Sequence, residues 1–268
     1  MEPESTYRFT ISLDAQGSSS VPDRDKPAMR KLIHDVSGRA FAQARIGQAQ
    51  LSQEDRGDGI LAILETSVPP VRIVGEWVEY LHEELRAANG GRRHPLRLRA
   101  GITIGPVTRD PHGWSGHAVE LACRIGDSGT AKRLLAAAPR SCLAVVASDT
   151  LYKDVVRRGG RWVEPERYRR YVLGLKEGPQ PAWIQVLGLE RPPELPAEPA
   201  AGEPAPPEPA AGEAAVAEAA PARSGAAEDR PGPARVTNTV INHGTGKVVS
   251  GVERIETLNM GSGSDGDR

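Results

Sequence analysis

Asp14 and Asp58 are the residues of this 268-residue chain whose type and placement could do chemistry together. Asp14 closes an alternating apolar stretch, and Asp58 lies inside Gly57-Asp58-Gly59 at the tip of a hairpin-like turn. Two carboxylates at one place, completed by water and phosphate oxygens, suit Mg²⁺, a hard ion that takes few protein ligands and keeps its waters. The plainer alternative makes Asp14 a turn initiator and Asp58 an ordinary hairpin residue. Other chemistries lack their residues. The six histidines show no HxxxH or HExxH spacing, and no Gly-rich phosphate loop or nucleophile elbow occurs. Cys123 and Cys142 have no metal-type spacing and cannot form a disulfide framework. Arg92-Arg93-His94 with Arg97 and Arg99, and the cluster from Arg157 to Arg170, read as solvated faces rather than RNA sites, so no nucleic-acid partner is expected.

The elements that must position the acids follow from periodicity. Tyr7, Phe9, Ile11 and Leu13 alternate with polar residues, which predicts a half-buried strand ending at Asp14. Met29, Leu32, Ile33, Val36 and Ala40 recur at helical spacing after Pro27. Residues 49–54 and 59–65 read as two strands joined through Asp55-Arg56-Gly57-Asp58. A second helix after Pro69-Pro70 carries Val71, Val74, Trp77, Val78, Leu81 and Leu85 on one face. Leu96 to Ile104 alternates as a strand, helices follow over 116–125 and 130–138, and Cys142 to Ala147 is a buried strand. A short helix from Asp149 and an antiparallel pair, 168–175 with 182–187, close the unit. The order, β-α-β-β-α-β-α-β-α-β-β, predicts an α+β domain with a mixed sheet covered by helices. In such a β-α-β-β layout the first and third elements can be neighbours, which would bring Asp14 and Asp58 to one sheet end.

Composition then divides the chain. Residues 1–188 form the globular unit, with 27 Lys+Arg and 22 Asp+Glu. Residues 189–235 contain 11 Pro and 15 Ala, with 9 acidic and 4 basic side chains, a composition that predicts a disordered linker. Residues 236–260 are β-prone, with Val240, Ile241, Val248, Val249 and Val252 between glycines, and 261–268 form a polar, disordered tail. The β-prone segment invites cross-chain β-type assembly or a protein partner, against the alternative of an end without stable structure. The longest apolar run is about six residues, against about 20 needed to span a bilayer. With an acidic N-terminus and two cysteines, a cytoplasmic protein without membrane partners is the expectation.

Five segments in order now carry a resemblance. Ser12-Leu13-Asp14-Ala15-Gln16-Gly17 and Glu54-Asp55-Arg56-Gly57-Asp58-Gly59 resemble the two metal motifs of class III adenylate/guanylate cyclase catalytic domains. Residues 96–107 resemble the central strand of that family, 116–125 its Asn/Arg helix, and Val172 to Gly178 with Pro181-Ala182-Trp183 its late Lys-Gly strand and successor. Residues 236–260 resemble Gly/Val/Asn motifs that follow Pro/Ala linkers in actinobacterial signalling proteins. The resemblance implies a ferredoxin-like class III nucleotidyl cyclase fold over residues 7–188. It implies a nucleoside triphosphate as partner, two Mg²⁺ (or Mn²⁺) ions on Asp14 and Asp58, and a homodimer with active sites across its interface. Arg124 matches the residue that stabilises the transition state, and Lys176 a triphosphate contact.

Two departures qualify the implied activity. Glu120 stands where the family has a ribose-supporting Asn; a carboxylate cannot donate as an amide does, and it repels a polyphosphate. It also lies one turn from Arg124 and could pair with it. Glu54 matches a guanine-reading position, but its partner position falls at Gly113, which has no side chain, beside Trp114. Two readings follow: a nucleotide cyclase releasing cyclic nucleotide and pyrophosphate, or a catalytically degenerate pseudo-cyclase acting as a nucleotide-binding or protein-interaction module in signalling.

Overall fold

The computed structural model describes residues 4–195. Of the regions expected beyond the globular unit, 236–260 and 261–268 lie outside the described residues, as does 196–235 of the linker. Its first residues do not: Leu189 and Leu195 pack against the domain's apolar surface.

The chain forms β1 (Ser5–Ala15), α1 (Lys26–Gln43), β2 (Leu51–Asp55), β3 (Gly59–Leu64), α2 (Val78–Ala88), β4 (Leu98–Asp110), β5 (Gly113–Ser115), α3 (His117–Gly126), α4 (Gly129–Ala137), β6 (Leu143–Ser148), α5 (Asp149–Asp154), β7 (Arg169–Leu175) and β8 (Gly178–Val186). The sheet runs β2-β3-β1-β4-β6-β8-β7, with β5 added to the far end of β4. Among the described residues only the β4–β6 pair is parallel, so the sheet is mixed, as expected.

Alternation along each strand sends successive side chains to opposite faces. Phe9, Ile11 and Leu13 of β1, Ile60, Ala62 and Leu64 of β3, and Leu143, Val145 and Ala147 of β6 join Ile33, Val36 and Phe41 of α1 with Leu81 and Leu85 of α2. The other side of β6, Ala144 and Val146, packs with Ile125 of α3 and with Leu134 and Leu135 of α4. Leu61 and Ile63 of β3 meet Ala118 and Val119 of α3. Helices therefore cover both faces, which is why β3 and β6 read as continuous apolar runs rather than alternating ones.

Two local features differ from the expectation, and a third sets the height of a site helix. The strand expected from Leu96 runs from Leu98 to Asp110 and returns as β5, a three-residue strand too short to leave a periodic signal. The second helix begins as a π-helical stretch, Arg72–Trp77, before α2. The wider π turn throws the helical spacing off, and Val71 is 49% exposed rather than on the buried face. Helix α3 lies unusually close to β4. A Cβ at Gly101 would stand 2.0 Å from the Ala122 carbonyl oxygen, so only glycine permits that approach. This contact sets the height of α3, and hence of Glu120 and Arg124, above the sheet.

Candidate functional site

Antiparallel pairing of β1 with both β3 and β4 places Asp14 opposite Gly59 on one side and Arg99 on the other. The Asp58 carbonyl accepts the Ala15 N–H at 3.0 Å, which fastens the β2–β3 hairpin to the end of β1. Asp14 and Asp58 thus lie at the same sheet end. The Oδ2 of Asp58 accepts the Ser18 hydroxyl at 2.5 Å.

The hairpin is also tied to α1. Asp55 Oδ1 accepts the Gly57 N–H at 2.7 Å. Its Oδ2 takes the Arg30 Nε–H and pairs with His34 Nε2, each at 2.6 Å. The Arg30 hydrogen bond, followed by the Gly57 N–H, holds the Asp55 carboxyl well below the usual carboxylate range. Asp55 is therefore a brace for the loop that carries Asp58.

Arg99 and Arg97 correct the expectation of a solvated basic face. Arg99 is 2% exposed. Its guanidinium donates to Asp14 and Gln16, to Asp127 at 3.2 Å, and through Nε to the Gly126 carbonyl at 3.0 Å. Burial pulls its pKa down, and Asp127 pulls it back up. Arg97 donates to the carbonyls of Leu135, Ala138 and Ser141, the last two at 2.8 and 2.9 Å. Both arginines satisfy the open carbonyls at helix C-termini, α3 for Arg99 and α4 for Arg97, where positive charge is favourable. Sequence inspection missed Arg99 because its link to Asp14 joins residues 85 positions apart. The one available signal was its place on the strand expected to carry the site.

Glu54, at the end of β2, faces the β4–β5 turn. Its Oε1 accepts the Trp114 N–H at 2.9 Å and its Oε2 accepts Arg56 at 2.8 Å. Trp114 in turn donates its indole N–H to Ser52 at 3.0 Å and lies under the Arg109 guanidinium, 5.5 Å from the ring centroid.

The remaining candidates form a separate group. Glu120 and Arg124 sit one turn apart on α3 and pair at 3.3 Å, while Arg124 also pairs with Glu177 at 2.5 Å. Glu177 and the exposed Lys176 make the tight turn between β7 and β8. Among the described residues, no hydrogen bond or ion pair links this group to Asp14 or Asp58.

The donor set at the acid end fits a hard divalent ion shared with a polyphosphate. It offers two carboxylates from neighbouring strand ends, each with one oxygen engaged and a second to ligate. Among the described residues no cluster of three or more His, Cys, Asp or Glu side chains forms a self-sufficient metal cage. Arg99 beside Asp14 opposes a lone cation but favours a cation that arrives with phosphate.

No family model matches the sequence, and no protein of curated function does. Solved structures do. The adenylate/guanylate cyclase/hydrolase of Silicibacter pomeroyi is 19% identical, with 69% of this chain and 99% of that one covered and a TM-score of 0.51. A bacterial light-regulated adenylyl cyclase is 14% identical, with 70% of this chain and 54% of that one covered and a TM-score of 0.51. Likeness at these identities establishes a shared fold.

Proposed function

We propose that this chain, whose described domain has the α+β fold of class III nucleotidyl cyclase catalytic domains, is a nucleoside-triphosphate-binding signalling module in which cyclisation is held off. The observation that carries this reading is the pairing of Arg124 with both Glu120 and Glu177. Cyclisation needs the ribose 3′-oxygen to attack the α-phosphorus in line while pyrophosphate leaves, and positive charge must meet the charge that develops. An arginine already paired with two carboxylates has its charge matched before phosphate arrives, and Glu120 adds repulsion toward the same phosphate. Mg²⁺ or Mn²⁺ on Asp14 and Asp58 would supply a Lewis acid for the triphosphate. Arg99 holds Asp14 in place, Ser18 and Asp55 hold the Asp58 loop, and exposed Lys176 is placed to meet a triphosphate as a mobile charge. In a homodimer of the kind the resemblance implies, Arg124 and Lys176 of one copy would face the acid end of the other; among the described residues no hydrogen bond or ion pair joins the two groups. No helix among the described residues is long and apolar enough to cross a membrane.

Full-length protein incubated with each of the four NTPs and Mg²⁺ or Mn²⁺ tests this reading. Saturable triphosphate binding that weakens at least tenfold in Asp14→Ala and Asp58→Ala, without cyclic product, is expected. Glu120→Asn combined with Glu177→Gln frees Arg124 and should produce cyclic nucleotide. Cyclic product from the unaltered chain, abolished by Asp58→Ala, would establish the active cyclase instead.

A further inference from the structure

The last described residues, 189–195, lie on the domain as a strap. Gly188, at a φ of +86°, turns the chain out of β8, so that Leu187 packs in one apolar cluster and Leu189 against another. From there burial repeats every three residues. Leu189 is half-buried, Pro192 buried and Leu195 half-buried, while Glu190, Arg191 and Glu194 are exposed. Three is the period of a polyproline II helix, which Pro192-Pro193 favours. Pro192 shares a cleft with Tyr152 and Tyr168, and Glu194 meets Arg169, the first residue of β7, at 3.4 Å. Past Leu189, no backbone hydrogen bond among the described residues ties the strap to the domain. Its hold comes from side chains.

We propose that this strap is a releasable clamp on the edge of the sheet, which keeps Glu177 against Arg124 for as long as it is docked. Strand β7 is the last in the sheet order, and among the described residues it pairs with β8 alone. Its far end is the turn that carries Lys176 and Glu177. The cluster that receives Leu189 and Leu195 also receives Leu175, next to that turn, and contains Ile125, next to Arg124. One small cluster therefore seats the strap, β7 and α3 together. The docked state also carries a cost. The Tyr171 hydroxyl on β7 is buried and makes no hydrogen bond among the described residues. Burial pushes this phenol's pKa up, with Arg169 and Glu194 near enough to act on it in opposite senses. Lifting the strap would let water reach the hydroxyl and restore the missing bond. The chain runs on past Leu195 to Arg268, so a partner that binds or pulls the continuing chain acts on the strap first. The inference rests on the triphosphate-binding reading only for what the freed Arg124 does next, which is to meet phosphate.

The test uses the full chain carrying Leu189→Ser with Leu195→Ser, and a milder variant, Glu194→Lys, which repels Arg169 and leaves both leucines in place. Amide hydrogen exchange over residues 171–177 should quicken at least about tenfold in the double variant, and by less over the same residues in Glu194→Lys, with β1 unchanged. Unchanged exchange over 171–177 in the double variant overturns the clamp. Exchange quickened equally in β1 overturns it too, because the strap would then be part of the core and not a releasable piece. The link to Arg124 has a readout that lost packing alone would not move. With Mg²⁺, the double variant should bind inorganic tripolyphosphate about two- to fivefold more tightly, the span one exposed ion pair can supply. That gain should vanish in a Glu177→Gln background, where the pair is already gone. No gain, or a gain of the same size in that background, overturns the link. Should neither tripolyphosphate nor ATP bind any variant, the triphosphate reading fails, and the exchange result still decides the clamp by itself.

Discussion

The acid end and the arginine end of this domain are built from the same chemistry, ion pairs between arginine and carboxylate, under opposite conditions. Arg99 is buried on a central strand, its side chain 3% exposed, and each of its bonds runs to a residue fixed by the sheet or by a helix terminus. Arg124 is 37% exposed, and its partners Glu120 and Glu177 are 58% and 47% exposed. Water reaches both sides of the second set; in the first it reaches Asp127, 60% exposed, and less of Asp14, 26% exposed, while the guanidinium itself is buried. A buried pair is costly to break, because the survivor is left uncompensated; an exposed pair contributes about 0–1 kcal/mol. The acid end is therefore architecture, and the arginine end is a weak latch, whose hold on cyclisation rests more on the Glu120 charge beside the phosphate than on the strength of the pairs. Under the proposed reading, that asymmetry would suit a module with a permanently formed phosphate platform and a reactive charge in reserve.

The sharpest way to break the comparison is Arg99→Leu. It strips Asp14, Asp127 and the Gly126 carbonyl of their shared donor, and should cost about 3 kcal/mol in urea unfolding. A loss below about 1 kcal/mol would put Arg99 in the same class as Arg124.

A smaller effect is expected at the brace behind Asp58. Asp55→Asn removes the carboxylate that holds Arg30 and His34 and should cost about 1 kcal/mol near neutral pH. Because the folded state depresses the Asp55 pKa below its ordinary 3.8, its stabilisation is fully present above that value. It fades as pH falls through the folded-state value. The difference in melting temperature between the native chain and Asp55→Asn should hold at pH 5 and narrow as the pH is taken below about 4. A difference unchanged at pH 3 would show that the carboxylate's charge is not what braces the loop.

The contrast also explains what sequence could and could not show. Strand β1 and the hairpin were legible because their signals are local: Phe9, Ile11 and Leu13 alternate, and Asp55-Arg56-Gly57-Asp58 carries turn chemistry within four residues. The meeting of Asp14 and Asp58 followed from setting the hairpin beside β1, although the structure pairs β1 with the hairpin's second strand, β3, and not with its first. The Glu120–Arg124 pair was legible from helical spacing alone. Arg97 and Arg99 were misread because an arginine alternating with leucine looks like a strand's wet side. That side is covered by α3 and α4, whose terminal carbonyls take the guanidiniums in. Only the packed structure reveals such a bond, since the acceptors are backbone atoms common to every residue type. The second bond of Arg124, to Glu177, was hidden for a related reason: nothing in either segment announces that the β7–β8 turn rises beside α3.

The smallest expected effect is therefore the most telling one. Glu177→Gln removes a 2.5 Å ion pair, yet should change unfolding free energy by less than about 0.5 kcal/mol, because both partners sit in water and the exposed side chains regain freedom. Glu120→Gln should behave likewise, and the double variant should lose no more than the sum of the two. Such additivity would mark Arg124 as held by two independent, weak contacts. A double variant that loses more than about 2 kcal/mol would instead show a cooperative network. Arg124 would then be as much a part of the architecture as Arg99, and a charge locked into the fold could not also be one held in reserve for phosphate.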